Sequence, residues 1–122
     1  VRVLLVDDEV EYVSTLAERL SFRGIDASWV SNAKEALERI RQENFDIAVL
    51  DVKMPKMGGI ELKQIVEEIK PDMKFIYLTG HGSENDYQKG VTDGVSYLIK
   101  PVDIDKLMTT MNQAMTNRGS GQ

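Results

Sequence analysis

The feature that most constrains the fold is a rhythm. Short, nearly unbroken apolar runs at residues 3–6, 27–30, 47–50, 75–78 and 97–99 alternate with stretches of helical periodicity. Runs of this length, rich in Val, Ile and aromatic residues, suit parallel strands buried on both faces. The second run is weaker, because polar Ser28 sits between Ala27 and Trp29, as at the edge of a sheet. Between the runs, Val10, Val13, Leu16, Ala17 and Leu20 share one helical face. The same spacing recurs in Ala33, Ala36, Leu37 and Ile40, in Leu62, Ile65, Val66 and Ile69, and in Ile104, Leu107, Met108, Met111 and Met115. Parallel neighbours need helical crossovers, so the chain predicts an open, doubly wound α/β sheet.

Punctuation agrees with this division. Gly24 is placed to close the first helix, and Asn32 with Glu35 to cap the second. Pro71 ends the third, and Asp103 opens the last. Residues 83–94 carry Gly90, Thr92, Asp93 and Gly94 and little apolar periodicity, so they predict a helix of poor propensity. Residues 1–116 read as one domain and 117–122 as a polar tail or linker stub, in a chain of 122 residues. Without cysteine there is no disulfide framework and no thiolate metal site. No apolar run is long enough to span a membrane. A formal net charge of −5 argues against direct binding of a nucleic-acid backbone by this domain.

Ligands of doubly wound sheets bind beyond the carboxyl ends of the strands. The residues there carry chemistry. Asp7, Asp8 and Glu9 follow the first run, Asp51 the third, Thr79 and Gly80 the fourth, and Lys100 and Pro101 the fifth. Singly, each has an ordinary reading. Asp8 with Glu11 makes a capping box, Asp51 a turn, Thr79 a strand terminus, and Lys100 a solvated cation. Together they do not, because crowded carboxylates repel and only a cation rewards the arrangement. Magnesium favours oxygen ligands and is held by one or two carboxylates plus phosphate oxygens. A carboxylate is also a nucleophile that forms an aspartyl phosphate, and phosphoryl transfer requires mainly positioning and charge neutralisation.

The motifs Val3-Leu4-Leu5-Val6-Asp7-Asp8-Glu9, Leu50-Asp51-Val52-Lys53-Met54-Pro55-Lys56-Met57-Gly58-Gly59, Leu78-Thr79-Gly80 and Tyr97-Leu98-Ile99-Lys100-Pro101 follow in order over essentially the whole chain. In this the sequence resembles the receiver domains of bacterial two-component response regulators. The resemblance implies a flavodoxin-like (βα)5 sandwich with five parallel strands ordered 2-1-3-4-5. It implies phosphorylation at Asp51, with Mg²⁺, or Mn²⁺ in its place, held by Asp7, Asp8, Asp51 and the backbone carbonyl of Lys53. Thr79 and Lys100 become the phosphate-sensing pair, Tyr97 the switch aromatic, and the bond before Pro101 cis. Partners would be a histidine kinase or phosphotransfer protein and an output domain or downstream protein, in the cytoplasm. Val95 stands where Ala is usual, and Ser96 where one receiver subclass has Asp. The run Leu78-Thr79-Gly80-His81-Gly82 resembles receivers attached to nitrogen-regulator-type activators.

Rival functions fare worse. Haloacid-dehalogenase-type phosphatases place a second Asp two residues after the nucleophile, where this chain has Lys53. A flavodoxin needs a phosphate-cradling loop after the first strand, where this chain has Asp7-Asp8-Glu9. A phosphorylation-dead receiver would lack signature residues that are all present here. The expected role is a signalling switch and not turnover of free substrates, with residues 83–94 remodelled on phosphorylation. His81, the lone histidine, suits a loop bordering the site better than a metal ligand.

Overall fold

The computed structural model describes residues 1–80 and 95–116. Five parallel strands form one sheet in the order β2-β1-β3-β4-β5. They are β1 (Arg2–Val6), β2 (Asp26–Val30), β3 (Ile47–Asp51), β4 (Lys74–Thr79) and β5 (Ser96–Ile99). The described helices are α1 (Val10–Phe22), α2 (Ala33–Gln42), α3 (Gly59–Ile69) and α4 (Ile104–Thr116). The expected helix at residues 83–94, His81 and the tail at 117–122 lie outside the described residues.

The two-residue period of the strands sorts the apolar runs into two cores. Leu4, Val6, Ala48, Leu50, Phe75 and Tyr77 face α2 and α3, where Ala36, Ile40, Leu62 and Val66 join them. Val3, Leu5, Ile47, Val49, Ile76 and Leu78 face the other way, onto Val13, Leu16, Leu20, Leu107 and Met111 of α1 and α4. All of β3 is buried, because it lies at the centre of the sheet with helices on both faces. β2 is the edge, and only its Val30 is buried. Its polar Ser28 is tolerable there, with half its surroundings open to water.

Local signals account for most of the helix ends. The Asn32 side chain accepts a hydrogen bond from the Glu35 N–H at 2.8 Å and so caps α2. After α1, the Gly24 N–H donates to the Ser21 carbonyl and the Ile25 N–H to the Leu20 carbonyl. This paired closure requires a left-handed residue, and Gly24 supplies it at φ 83°. Asp103 accepts from the Lys106 N–H at 3.3 Å at the start of α4. The capping box that Asp8 and Glu11 offered as an ordinary reading does not form. Glu9 is the N-cap of α1, with no side-chain cap, and the Asp7 carboxylate accepts the Glu9 N–H at 2.9 Å instead.

Strand order decides where a ligand can enter. From β1 the chain winds outward to β2, and then returns across β1 to β3. The reversal leaves a crevice beyond the carboxyl ends of β1 and β3, flanked by the ends of β4 and β5.

Candidate functional site

Asp7 and Asp51 reach that crevice because each extends an alternating row of core residues past the point where the core ends. Asp7 follows Val3 and Leu5 and is fully buried, and Asp51 follows Ile47 and Val49 and is 4% exposed. Asp8 is exposed. Carboxylate oxygens of Asp7, Asp8 and Asp51 lie within 4.8 Å of one another. Lys100, from the end of β5, reaches across the sheet to this group. Its Nζ lies 3.1 Å from Asp7 Oδ2 and 3.5 Å from Asp51 Oδ1, and it also donates to Glu9 Oε1.

The electrostatics follow from crowding. Burial pushes the Asp51 carboxyl up from 3.8 to about 7; the negative charges of Asp7 and Asp8 add to this, and Lys100 opposes it. Burial disfavours the Lys100 charge, but Glu9, Asp7 and Asp51 outweigh it and hold the ammonium above its ordinary value. Burial also raises the Tyr12 hydroxyl. Four carboxylates thus lie at one site with one ammonium, which pairs with Asp7, Glu9 and Asp51. Oxygen-only donors, an excess of negative charge and one exposed edge are the properties of a site for a hard divalent cation. The residues present therefore fit Mg²⁺.

The loop from β3 to α3 is built to pass close to the strand end. A Cβ on Gly58 would meet the Val52 carbonyl oxygen at 2.3 Å, and one on Gly59 the Asp51 carbonyl oxygen at 2.5 Å. Neither position has room for a side chain. Lys56 takes a positive φ of 72°, and the Met57 N–H donates to the Pro55 carbonyl at 2.8 Å across it, a γ-turn. Lys53 is exposed on this loop. Thr79 is buried at the end of β4. Its hydroxyl donates to the Gly80 carbonyl at 3.3 Å, and its carbonyl accepts the Lys100 N–H at 2.7 Å. Tyr97 is half-buried, its ring 4.9 Å from that of Tyr77. The Lys100–Pro101 peptide is cis.

Two residues at this site were given no role by the sequence reading. Glu9, noted only as the last carboxylate after β1, ion-pairs with Lys100. Tyr12 holds its ring 5.5 Å from Lys100 Nζ, and its hydroxyl accepts the Val102 N–H at 3.1 Å. The signal for Tyr12 was its position three residues after Glu9, one helical turn along the same face.

With this geometry in place, relatives can be compared. Residues 3–112 match the response regulator receiver domain family. This chain belongs to that family. Among its curated relatives, the transcriptional regulatory protein ZraR of Klebsiella oxytoca is 30% identical over 118 residues, covering 96% of this chain and 27% of that protein. The transcriptional regulatory protein GlrR of Escherichia coli (strain K12) is 33% identical over 114 residues, covering 93% of this chain and 26% of that protein. The receiver domain thus spans about a quarter of the length of these relatives. The crystal structure of a CheY-like receiver domain protein from Methanospirillum hungatei JF-1 superposes with a TM-score of 0.86 at 29% identity, covering 99% of this chain and 98% of that one. Receiver domains are signalling domains of phosphorylation-dependent two-component systems. No helix among the described residues of this one is long and apolar enough to cross a membrane.

Proposed function

We propose that this receiver domain is switched by phosphorylation of Asp51, with Mg²⁺ held by Asp7, Asp8, Asp51 and the Lys53 carbonyl, and with Mn²⁺ able to substitute. The observation that carries this reading is the buried Asp51 carboxylate, grouped with Asp7 and Asp8 and 3.5 Å from the Lys100 ammonium. An Asp51 oxygen forms the new bond to phosphorus. The bond from phosphorus to the donor atom breaks, and its electron pair stays on that atom, a histidine nitrogen of a kinase or an oxygen of a small acyl phosphate. Asp51 needs no general base once ionised. A cation held by these residues would supply neutralisation of charge on a phosphoryl oxygen. Lys100 neutralises a second oxygen, and the Thr79 hydroxyl donates to another.

The switch follows from the same contacts. Thr79, drawn toward the phosphoryl group, pulls on the end of β4, where its carbonyl already holds the Lys100 N–H. Tyr97, packed on Tyr77 of β4, turns inward as that strand end moves. The remodelled face includes β5 and α4. A phosphoryl group adds about −1.5 to −2 of charge. Two new hydrogen bonds to it, at roughly 1.5–3 kcal/mol each, approach the roughly 5.5 kcal/mol that carries a two-state equilibrium from 1:99 to 99:1. The partners are a histidine kinase or phosphotransfer protein and an output domain or downstream protein, of the nitrogen-regulator type, in the cytoplasm. Residues 1–116 form the receiver unit, and 117–122 read as a polar tail or linker stub.

Intact-mass measurement with acetyl phosphate tests the chemistry. A single phosphate adduct is expected only with Mg²⁺ or Mn²⁺ and only with Asp51 intact. An adduct at full yield in Asp51→Asn, or with the metal chelated, would sink the assignment.

A further inference from the structure

Lys100 is already committed before any phosphate arrives. Its Nζ donates to Asp7 Oδ2 at 3.1 Å and to Glu9 Oε1, and it lies 3.5 Å from Asp51 Oδ1. A phosphoryl oxygen on Asp51 that draws the ammonium toward it competes with the two hydrogen bonds already made. The carboxylates around the ammonium do not release it equally readily. The Asp7 side chain is 1% exposed and that of Asp51 5%, so water cannot take the place of the ammonium at either. Asp51 is also the phosphorylated group itself. The Glu9 side chain is 62% exposed, and water can solvate it as soon as the ammonium leaves.

Tyr12 limits where Lys100 can go. Its ring lies 5.5 Å from Nζ, while its hydroxyl ties α1 to the backbone at Val102. The ammonium therefore moves between Glu9 and Asp51 more readily than away from both. We propose that Glu9 is a positioning residue that competes with the phosphoryl group for Lys100, and so sets how readily the phosphorylated state forms. This rests on Asp51 being the phosphoacceptor. Glu9 touches no reacting atom; it acts through Lys100. Because the Glu9 end of the pair is mostly exposed, its effect is modest. Exposed ion pairs correspond to roughly a one-and-a-half- to fivefold change in an equilibrium constant.

Beryllofluoride, a phosphoryl mimic, is the probe, titrated calorimetrically in saturating Mg²⁺. Glu9→Gln is expected to tighten binding by about two- to fivefold. Simple removal of a nearby negative charge would also favour an anion, so the same substitution is made in a Lys100→Met background. Contact through Lys100 predicts that the gain disappears there, whereas a through-space field predicts that it persists. Where beryllofluoride binds the Lys100→Met proteins too weakly to titrate, the rate of phosphorylation by acetyl phosphate, read by intact mass, replaces it in all four proteins. No gain in Glu9→Gln, or an equal gain with and without Lys100, overturns the proposal. Beryllofluoride binding that survives Asp51→Asn would instead overturn the phosphoacceptor assignment on which it rests.

Discussion

Asp51 should make the metal-free protein less stable as pH rises from about 4 to 7, opposite to the usual behaviour of a paired carboxylate. Its folded value lies near 7 against an ordinary 3.8, from burial first and then from Asp7. Between those values the native state holds a proton that the unfolded chain has released, so the free energy of unfolding falls with rising pH. At 1.36 kcal/mol per pKa unit, the displacement corresponds to roughly 4 kcal/mol as an upper bound. Relaxation and solvent entry at the crevice bring the expected loss to roughly 2–4 kcal/mol, a large share of the 5–15 kcal/mol typical of a domain. Above pH 7 the loss is complete and the curve flattens. Asn keeps the shape of Asp51 and loses the charge, so Asp51→Asn should show little of this decline and be the more stable protein at pH 8. Urea unfolding with chelator, at intervals from pH 4 to 8, measures both curves. Adding Mg²⁺ at about 100 times its dissociation constant should restore about 2.7 kcal/mol to the wild type, and far less to the variant. Parallel pH curves for the two proteins would refute the reasoning, because the slope would then come from other groups.

The β3–α3 loop and the far end of the sheet offer further tests. Gly59→Ala would place a Cβ 2.5 Å from the Asp51 carbonyl oxygen and 3.0 Å from the Leu50 Cβ, so it should destabilise by about 1–3 kcal/mol in urea unfolding and slow phosphorylation by acetyl phosphate. Wild-type behaviour in both would mean that the loop does not approach the strand as described. Glu43, bonded to Arg39 and Arg2, is held down at about 2. Its contribution to stability is present above the unfolded value of 4.5 and lost as pH falls through 2, so Glu43→Gln should flatten the acid limb of unfolding in that window. An unchanged acid limb would show that the ion pairs contribute nothing there.

Much of this molecule was legible in one dimension because the signals involved are local or periodic. Apolar runs bounded by turn residues located all five strands, each to within a residue or so, since a strand buried on both faces has to be apolar along its length. Asn32 and Gly24 marked helix ends because a cap is made by neighbours in sequence. The carboxylates after β1 and β3 pointed to one edge, because in a doubly wound parallel sheet every strand ends at the same side. Distances across the sheet were not legible. Whether Asp8 caps α1 or faces the crevice is a contest between a local bond and a tertiary one, and Asp7 took the Glu9 N–H. The grip of Glu9 and Tyr12 on Lys100 joins residues about ninety positions apart, and nothing in the local pattern of either end specifies it. Periodicity says which face of an element is apolar. Which charged tips meet beyond the core depends on strand order, twist and the length of each side chain. The sequence by itself determined the sheet, its two cores and the inventory of groups at its edge; the tertiary structure alone decided which carboxylates hold the lysine.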